Sequence, residues 1–280
     1  MPKFFKAQQG GLLPFYWLDG KIRNRETDGA PQVATFSQAM DYSLVIIEGI
    51  RVNVNERGKY FGFRLKDHMR RMVVGWEEIG LRSPFSAAHL EKALRECLIK
   101  NIAFLKKSGK KEAIYVRPKI YVTEGIIKPF AGSKTSVVIE CFPFAKYLPS
   151  DGISATLGDY VRTHRHSGYH TKGAGKYPEY GRLRDSSPGE YSDVLQLGIG
   201  KGGKLLFTEG TTSNLFFVID GELHTPGLDD FILAGMTRDS VIKMAKQLKI
   251  RVHEGEMPLS HILEADEIFL TGTASFITPI

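Results

Sequence analysis

Apolar and polar positions alternate in short runs through the first half of the chain. FYWLDGKI (15–22), SLVIIEGIRVNV (43–54) and YFGFRL (60–65) carry strand patterns, with NERGK (55–59) as the turn joining the last two. Apolar residues then recur at helical spacing from about Lys66 and again from about Ser86, the second stretch running through HLEKALRECLIKNIAFL. AIYVRPKIYVTEG and SVVIECFPF return to strand patterns, so residues 1–145 predict a small α+β domain. The turn-rich KYLPSDG, residues 146–152, predicts a linker, and residues 153–280 a second, larger domain. There the chain predicts a hairpin over DVLQLGIGKGGKLLFTEG, a strand at NLFFVIDGEL and a helix at MTRDSVIKMAKQLKI. RVHEGEMPL, a short helix leading into LEADEIFLTGTA, and FITPI complete the pattern. GIGKGG has the letters of a phosphate cradle, but strand patterns flank it and no helix opens after it, so it predicts a hairpin turn.

Composition narrows the class. A chain of 280 residues, 42% hydrophobic and 25% charged, can bury a globular core without further help. Its two cysteines, Cys97 and Cys141, show no metal-ligand or disulfide-framework spacing, which suits the reducing cytoplasm. No run has the length of a signal peptide's apolar region or of a membrane span. The net charge of +7 is scattered; KKSGKK reads as a solvated helix end, so nucleic acid is not an expected partner.

Four short stretches carry residues able to do chemistry. In HTKGAGKYPEYG, Lys172 is followed by Gly173, Ala174 and Gly175 and then by Tyr177. A lysine that must sit under a flat ligand needs a thin backbone and an aromatic neighbour; a surface lysine needs neither. Glu209 in FTEGTTSNLFF can contact a bound ring or merely cap a turn. Met236 and Thr237 open a helix whose first amides suit a phosphate, and Thr271, Gly272 and Thr273 form a small hydroxyl-bearing loop.

Taken in order, EGIRV, KDHMRRM, YVRP, TKGAGKY, TEGTTSNLF, LAGMTRDS and ADEIFLTGTASFITP resemble the successive signatures of the fold-type IV aminotransferases that use pyridoxal 5'-phosphate. The resemblance is greatest to the branched-chain amino-acid aminotransferases and covers the chain from about Tyr42 to its end. It implies a two-domain α/β fold of the D-amino acid aminotransferase type. Lys172 then falls on the lysine that bonds the cofactor, Tyr177 on the tyrosine facing its phenolic oxygen, and Glu209 on the carboxylate at its pyridine nitrogen. The phosphate falls to Arg71, in preference to Arg70, with Met236, Thr237 and Thr273. The substrate carboxylate falls to Tyr115 and Arg117, which alternate on one strand face, and to Thr273 and Ala274. Tyr42, Ile47 and Phe144 fall on the walls of the side-chain pocket, where plain core packing is the competing reading.

The activity implied is transamination between leucine, isoleucine or valine and 2-oxoglutarate, in a cytoplasmic homodimer that needs no metal. A D-amino acid aminotransferase, an (R)-amine aminotransferase, an aminodeoxychorismate lyase and an inactive scaffold of the same fold are the alternatives. Three departures stand out. Ser213 occupies a position usually acidic, Lys176 replaces an asparagine, and the chain ends at Ile280, short of the family's C-terminal strand and helix. RTHRHSGYH, before Lys172, is rich in histidine but lacks acid partners at metal-site spacing.

Overall fold

The computed structural model describes residues 11–128, 134–144, 149, 151–162, 170–178, 181, 191–228 and 232–280. The chain divides into two compact units. One comprises Met1–Ala145 together with Thr171–Gly175, the other Lys146–His170 and Lys176–Ile280. Most of the 146–152 linker expectation, and residues 163–169 of the histidine-rich stretch, lie outside the described residues.

The first unit is built on a seven-stranded sheet of β1 (Phe15–Leu18), β2 (Lys21–Asn24), β3 (Val45–Ile47), β4 (Ile50–Val54), β5 (Tyr60–Gly62), β6 (Ile114–Val122) and β7 (Thr135–Pro143). β6 and β7 pair antiparallel along nine residues, Ile114–Val122 against Thr135–Pro143. On its other edge β6 holds β3 and β4 in turn. The interruption between those two strands has a cause in the sequence. In an antiparallel ladder a residue aims its N–H and C=O at the same neighbour. Pro118 of β6 accepts from Glu48 N at 2.9 Å but has no N–H to return. The ladder therefore breaks at Glu48–Gly49.

Two helices, Leu65–Glu78 and Ala87–Lys107, cover this sheet. The longer one begins at Ser86, whose hydroxyl accepts from His89 N. It buries Leu90, Leu94, Cys97, Leu98, Asn101 and Leu105, a stripe at helical spacing. Asn101 sits in that apolar stripe because its amide ties down the main chain of Phe15 through both N–H and C=O.

Among the described residues the second unit has two sheets. β8 (Ala155–Arg162), β9 (Asp193–Ile199) and β10 (Leu205–Phe207) form the smaller one, with GIGKGG as the expected turn between β9 and β10. β8 was not expected. It runs parallel to β9 and shifts register between Leu157 and Val161, so its pairing is non-local and its alternation irregular. The larger sheet has the order β13 (Val252–Gly255), β12 (Glu222–Pro226), β11 (Asn214–Ile219), β14 (Glu267–Gly272), β15 (Phe276–Pro279). The helix Met236–Gln247 packs Val241, Ile242 and Ala245 against Phe216 and Leu223 of this sheet. No helix among the described residues is long and apolar enough to cross a membrane.

Candidate active site

Each unit carries one constellation of candidate residues. In the first, the segment Thr171–Gly175 lies along the edge of β3. Ile47 N donates to Lys172 O at 3.0 Å, and Gly173 bridges Ile46 antiparallel. The lysine is thus held by main-chain bonds at the point where Pro118 has broken the sheet, and its side chain is partly buried. Burial pushes its pKa below the usual lysine value, and the Arg71 guanidinium pushes it further. Glu48 and Tyr115 pull the other way without reversing the shift, while Arg117 adds to it.

Glu48 was not among the expected site residues. It is fully buried, and its carboxylate accepts from Arg71 Nε at 2.7 Å and from Arg71 Nη2 at 2.8 Å. His68 Nδ1 lies 2.8 Å from Glu48 Oε2. His68 and Arg71 are three residues apart on the helix Leu65–Glu78, hence on one face. Burial alone would raise the Glu48 pKa, but Arg71 and His68 outweigh it and hold the carboxyl well below the ordinary range. The carboxylate in turn fixes the plane of the Arg71 guanidinium.

Tyr115 and Arg117 emerge on the same face of β6, as their spacing requires. Arg117 lies 5.1 Å from the centre of the Tyr115 ring, and the Phe144 ring packs against the same tyrosine with centroids 4.8 Å apart. A Cβ at Gly49 would fall 1.8 Å from the Tyr115 hydroxyl oxygen, so the glycine in EGIRV leaves the space that this tyrosine fills. Of the expected wall residues, Ile47 touches the lysine segment and Phe144 joins Tyr115. Tyr42 ends the short helix Gln38–Asp41, is exposed, and donates its hydroxyl to Ile127 O.

In the second unit, Glu209 follows β10 and is buried. Oε1 accepts from Arg162 Nη1 at 2.9 Å; Oε2 accepts from Asn214 Nδ2 at 3.3 Å and Leu233 N at 3.2 Å. Arg162 is itself fully buried and also donates to Gln196 Oε1 at 2.7 Å. The buried guanidinium gives this buried carboxylate its counter-charge, and three donors leave about one of its four acceptor sites for a further N–H. The pairing could not be seen in sequence, because Arg162 stands 47 residues before Glu209 on the unexpected strand β8.

Beside Glu209, the helix Met236–Gln247 begins at Gly235 with no side-chain cap. An added Cβ there would fall 1.9 Å from Asn214 Oδ1. Gly235→Ala should therefore cost about 1–3 kcal/mol by overpacking. Denaturant unfolding would show it, and a change under a few tenths would mean that Asn214 moves aside freely. Thr237 is half-buried in the helix's first turn. Thr273 and Ala274 lie half-buried in the loop from β14 to β15, where Gly272 is pinned beside the hydroxyls of Ser275 and Ser213. Ser213 and Ser275 share a buried hydrogen bond of 3.2 Å. Thr271, directly across from Asn214, buries a hydroxyl that has no protein partner. Tyr177 follows a short turn at Ala174–Lys176 and is 36% exposed.

Residues 45–280 match the family described as amino-transferase class IV. The branched-chain-amino-acid aminotransferase of Escherichia coli (strain K12) is 30% identical over 273 residues, 95% of this chain and 84% of that protein. The crystal structure of a branched-chain aminotransferase from the archaeon Thermoproteus uzoniensis, solved with norvaline, is similar at TM-score 0.83 and 33% identity, covering 96% of this chain and 86% of its own. An aminotransferase from Brucella abortus, bound to the co-factor PLP, is similar at TM-score 0.79 and 26% identity over 95% of this chain and 89% of its own.

Proposed function

From the premise that the chain belongs to the amino-transferase class IV family, we propose that it binds pyridoxal 5'-phosphate and exchanges an amino group between branched-chain L-amino acids and 2-oxoglutarate. The observation that carries this reading is the placement of Lys172, whose carbonyl accepts from Ile47 N at 3.0 Å, one residue before the buried Glu48 that binds Arg71. The residues fit the cofactor. Glu209 retains an acceptor site for a ring N–H, Thr271 keeps a buried hydroxyl without a protein partner, and the helix at Met236 opens on a glycine. When bound, the cofactor supplies a carbonyl carbon that takes up amino groups and a ring that withdraws electrons from the substrate Cα.

The protein's own groups supply the rest. Lys172 Nζ would hold the cofactor between turnovers and, once free, would take the proton from the substrate Cα. Its lowered pKa makes a neutral, proton-accepting amine more abundant near neutrality than in an ordinary lysine. Glu209 would receive the ring N–H, with its carboxylate held in place by Arg162. Arg71, oriented by Glu48, is assigned to the phosphate together with Met236, Thr237 and Thr273. Tyr177 is assigned to the phenolic oxygen. Arg117 and Tyr115, with the amides of Thr273 and Ala274, are assigned to the substrate carboxylate, and Ile47, Phe144 and Tyr42 to the apolar side chain. We assign the enzyme to the cytoplasm on its two free, buried cysteines, and to a homodimer on the exposed Phe36, Met40 and Tyr42.

The test is turnover of L-leucine, L-isoleucine and L-valine with 2-oxoglutarate by the cofactor-loaded protein, compared with D-alanine, an (R)-amine and aminodeoxychorismate. Glutamate formed faster from the three branched L-amino acids than from any other donor is the expected result. Preference for D-alanine or the amine, or release of an aromatic amine from aminodeoxychorismate, would assign the site to one of those chemistries instead.

A further inference from the structure

Away from both constellations, the outer sheet of the second unit gathers imidazoles. Glu222 and His224 alternate on β12, so their side chains share a face. β13 runs parallel to β12 in a register that sets His253 opposite His224. Their rings stack with centroids 4.5 Å apart, and His253 Nε2 lies 2.6 Å from Glu222 Oε2. One ligand atom from each of Glu222, His224 and His253 lies within 4.8 Å of the other two. We propose that these three side chains form a binding site for a divalent transition-metal ion of the zinc or nickel type.

The donor set selects the ion. Two imidazole nitrogens and one carboxylate oxygen suit zinc, nickel or copper, whereas magnesium and calcium require oxygen ligands. Three protein ligands with His253 half-exposed leave a coordination position for water. Arg251 Nη1 holds Glu222 Oε1 at 2.7 Å and so leaves Oε2 turned toward His253. The ion would replace the proton that now bridges Glu222 and His253.

The surroundings favour that exchange. His261 stacks edge-on to His224 with ring centroids 5.4 Å apart, and its buried Nδ1 has no hydrogen-bond partner. Three imidazoles this close repel one another when protonated. Because backbone pairing fixes all three ligand positions, little ordering remains to be done on binding. The consequence is structural: among the described residues β13 is the edge of its sheet and pairs only with β12, so the ion would pin that edge.

The experiment is a titration of metal-free, cofactor-loaded protein with zinc chloride and nickel chloride. Binding is read by calorimetry and by the thermal midpoint, with magnesium chloride as the comparison ion. One equivalent should bind and raise the midpoint, and magnesium should do neither. His253→Asn changes a partly exposed side chain and should weaken binding at least about tenfold, as should Glu222→Gln. His164→Asn/His166→Asn, in the histidine-rich stretch, should bind as the parent does. Circular dichroism and the visible cofactor band would verify that each variant is folded. Zinc bound equally by the parent and by His253→Asn, loss confined to the 164/166 variant, or no saturable binding would each overturn the proposal. None of these readouts depends on transamination, so failure here leaves the proposed activity standing.

Discussion

Lys172→Ala should lower transamination by about 10⁴-fold or more and remove the visible absorbance of covalently held cofactor, while circular dichroism stays native. The size follows from two losses. A positioned proton-transfer group contributes roughly 10²–10⁴-fold, and this lysine is also the covalent anchor. An ordinary lysine with a pKa of about 10.4 is neutral in only about one molecule in a thousand at pH 7.4. The structure counters this by burying Lys172 beside Arg71, which lowers its pKa and raises the neutral fraction. Lys172→Arg should fail equally, since a guanidinium stays charged and cannot accept the proton. If either variant kept a tenth of the parent's rate, the proton carrier would have to be another residue.

Glu48→Gln should be the most damaging substitution for stability, at about 3–5 kcal/mol, because it leaves Arg71 and His68 without their buried counter-charge. The sign of its pH dependence is fixed. The folded pKa of Glu48 lies below the unfolded value of about 4.3, so its contribution is complete above that value and disappears as pH falls through the folded one. The gap between parent and variant should hold from about pH 8 to about pH 5 and close only in stronger acid. There is a second, non-structural readout. The Glu48 charge raises the Lys172 pKa, so its removal should move the titration of the lysine to lower pH. A variant that unfolds like the parent across that range, with an unmoved lysine titration, would show that Glu48 carries neither role.

Much of the local structure was legible because its determinants are local. Ser86 announced a helix start, the alternation in YVRP placed Tyr115 and Arg117 on one face, and GIGKGG between strand patterns announced a turn. β8 was not legible, because a parallel strand with a register shift is stabilised by β9 more than by its own pattern. Nor was the joining of Thr171–Gly175 to the first unit, which rests on main-chain bonds to Ile46 and Ile47 from far along the chain.

The sequence by itself determined the class IV family, through the order of its motifs, and it is that resemblance which singled out Lys172, Tyr177 and Glu209 as candidates. Only the tertiary structure decided which charges meet: Glu48 with Arg71 and His68 across 23 and 20 residues, Glu209 with Arg162 across 47, and His253 with Glu222 across 31. The reason is physical. Helix, strand and turn preferences act over a few residues and can be read from spacing, whereas burying a charge is tolerable only beside a partner, and the partner is supplied by the fold.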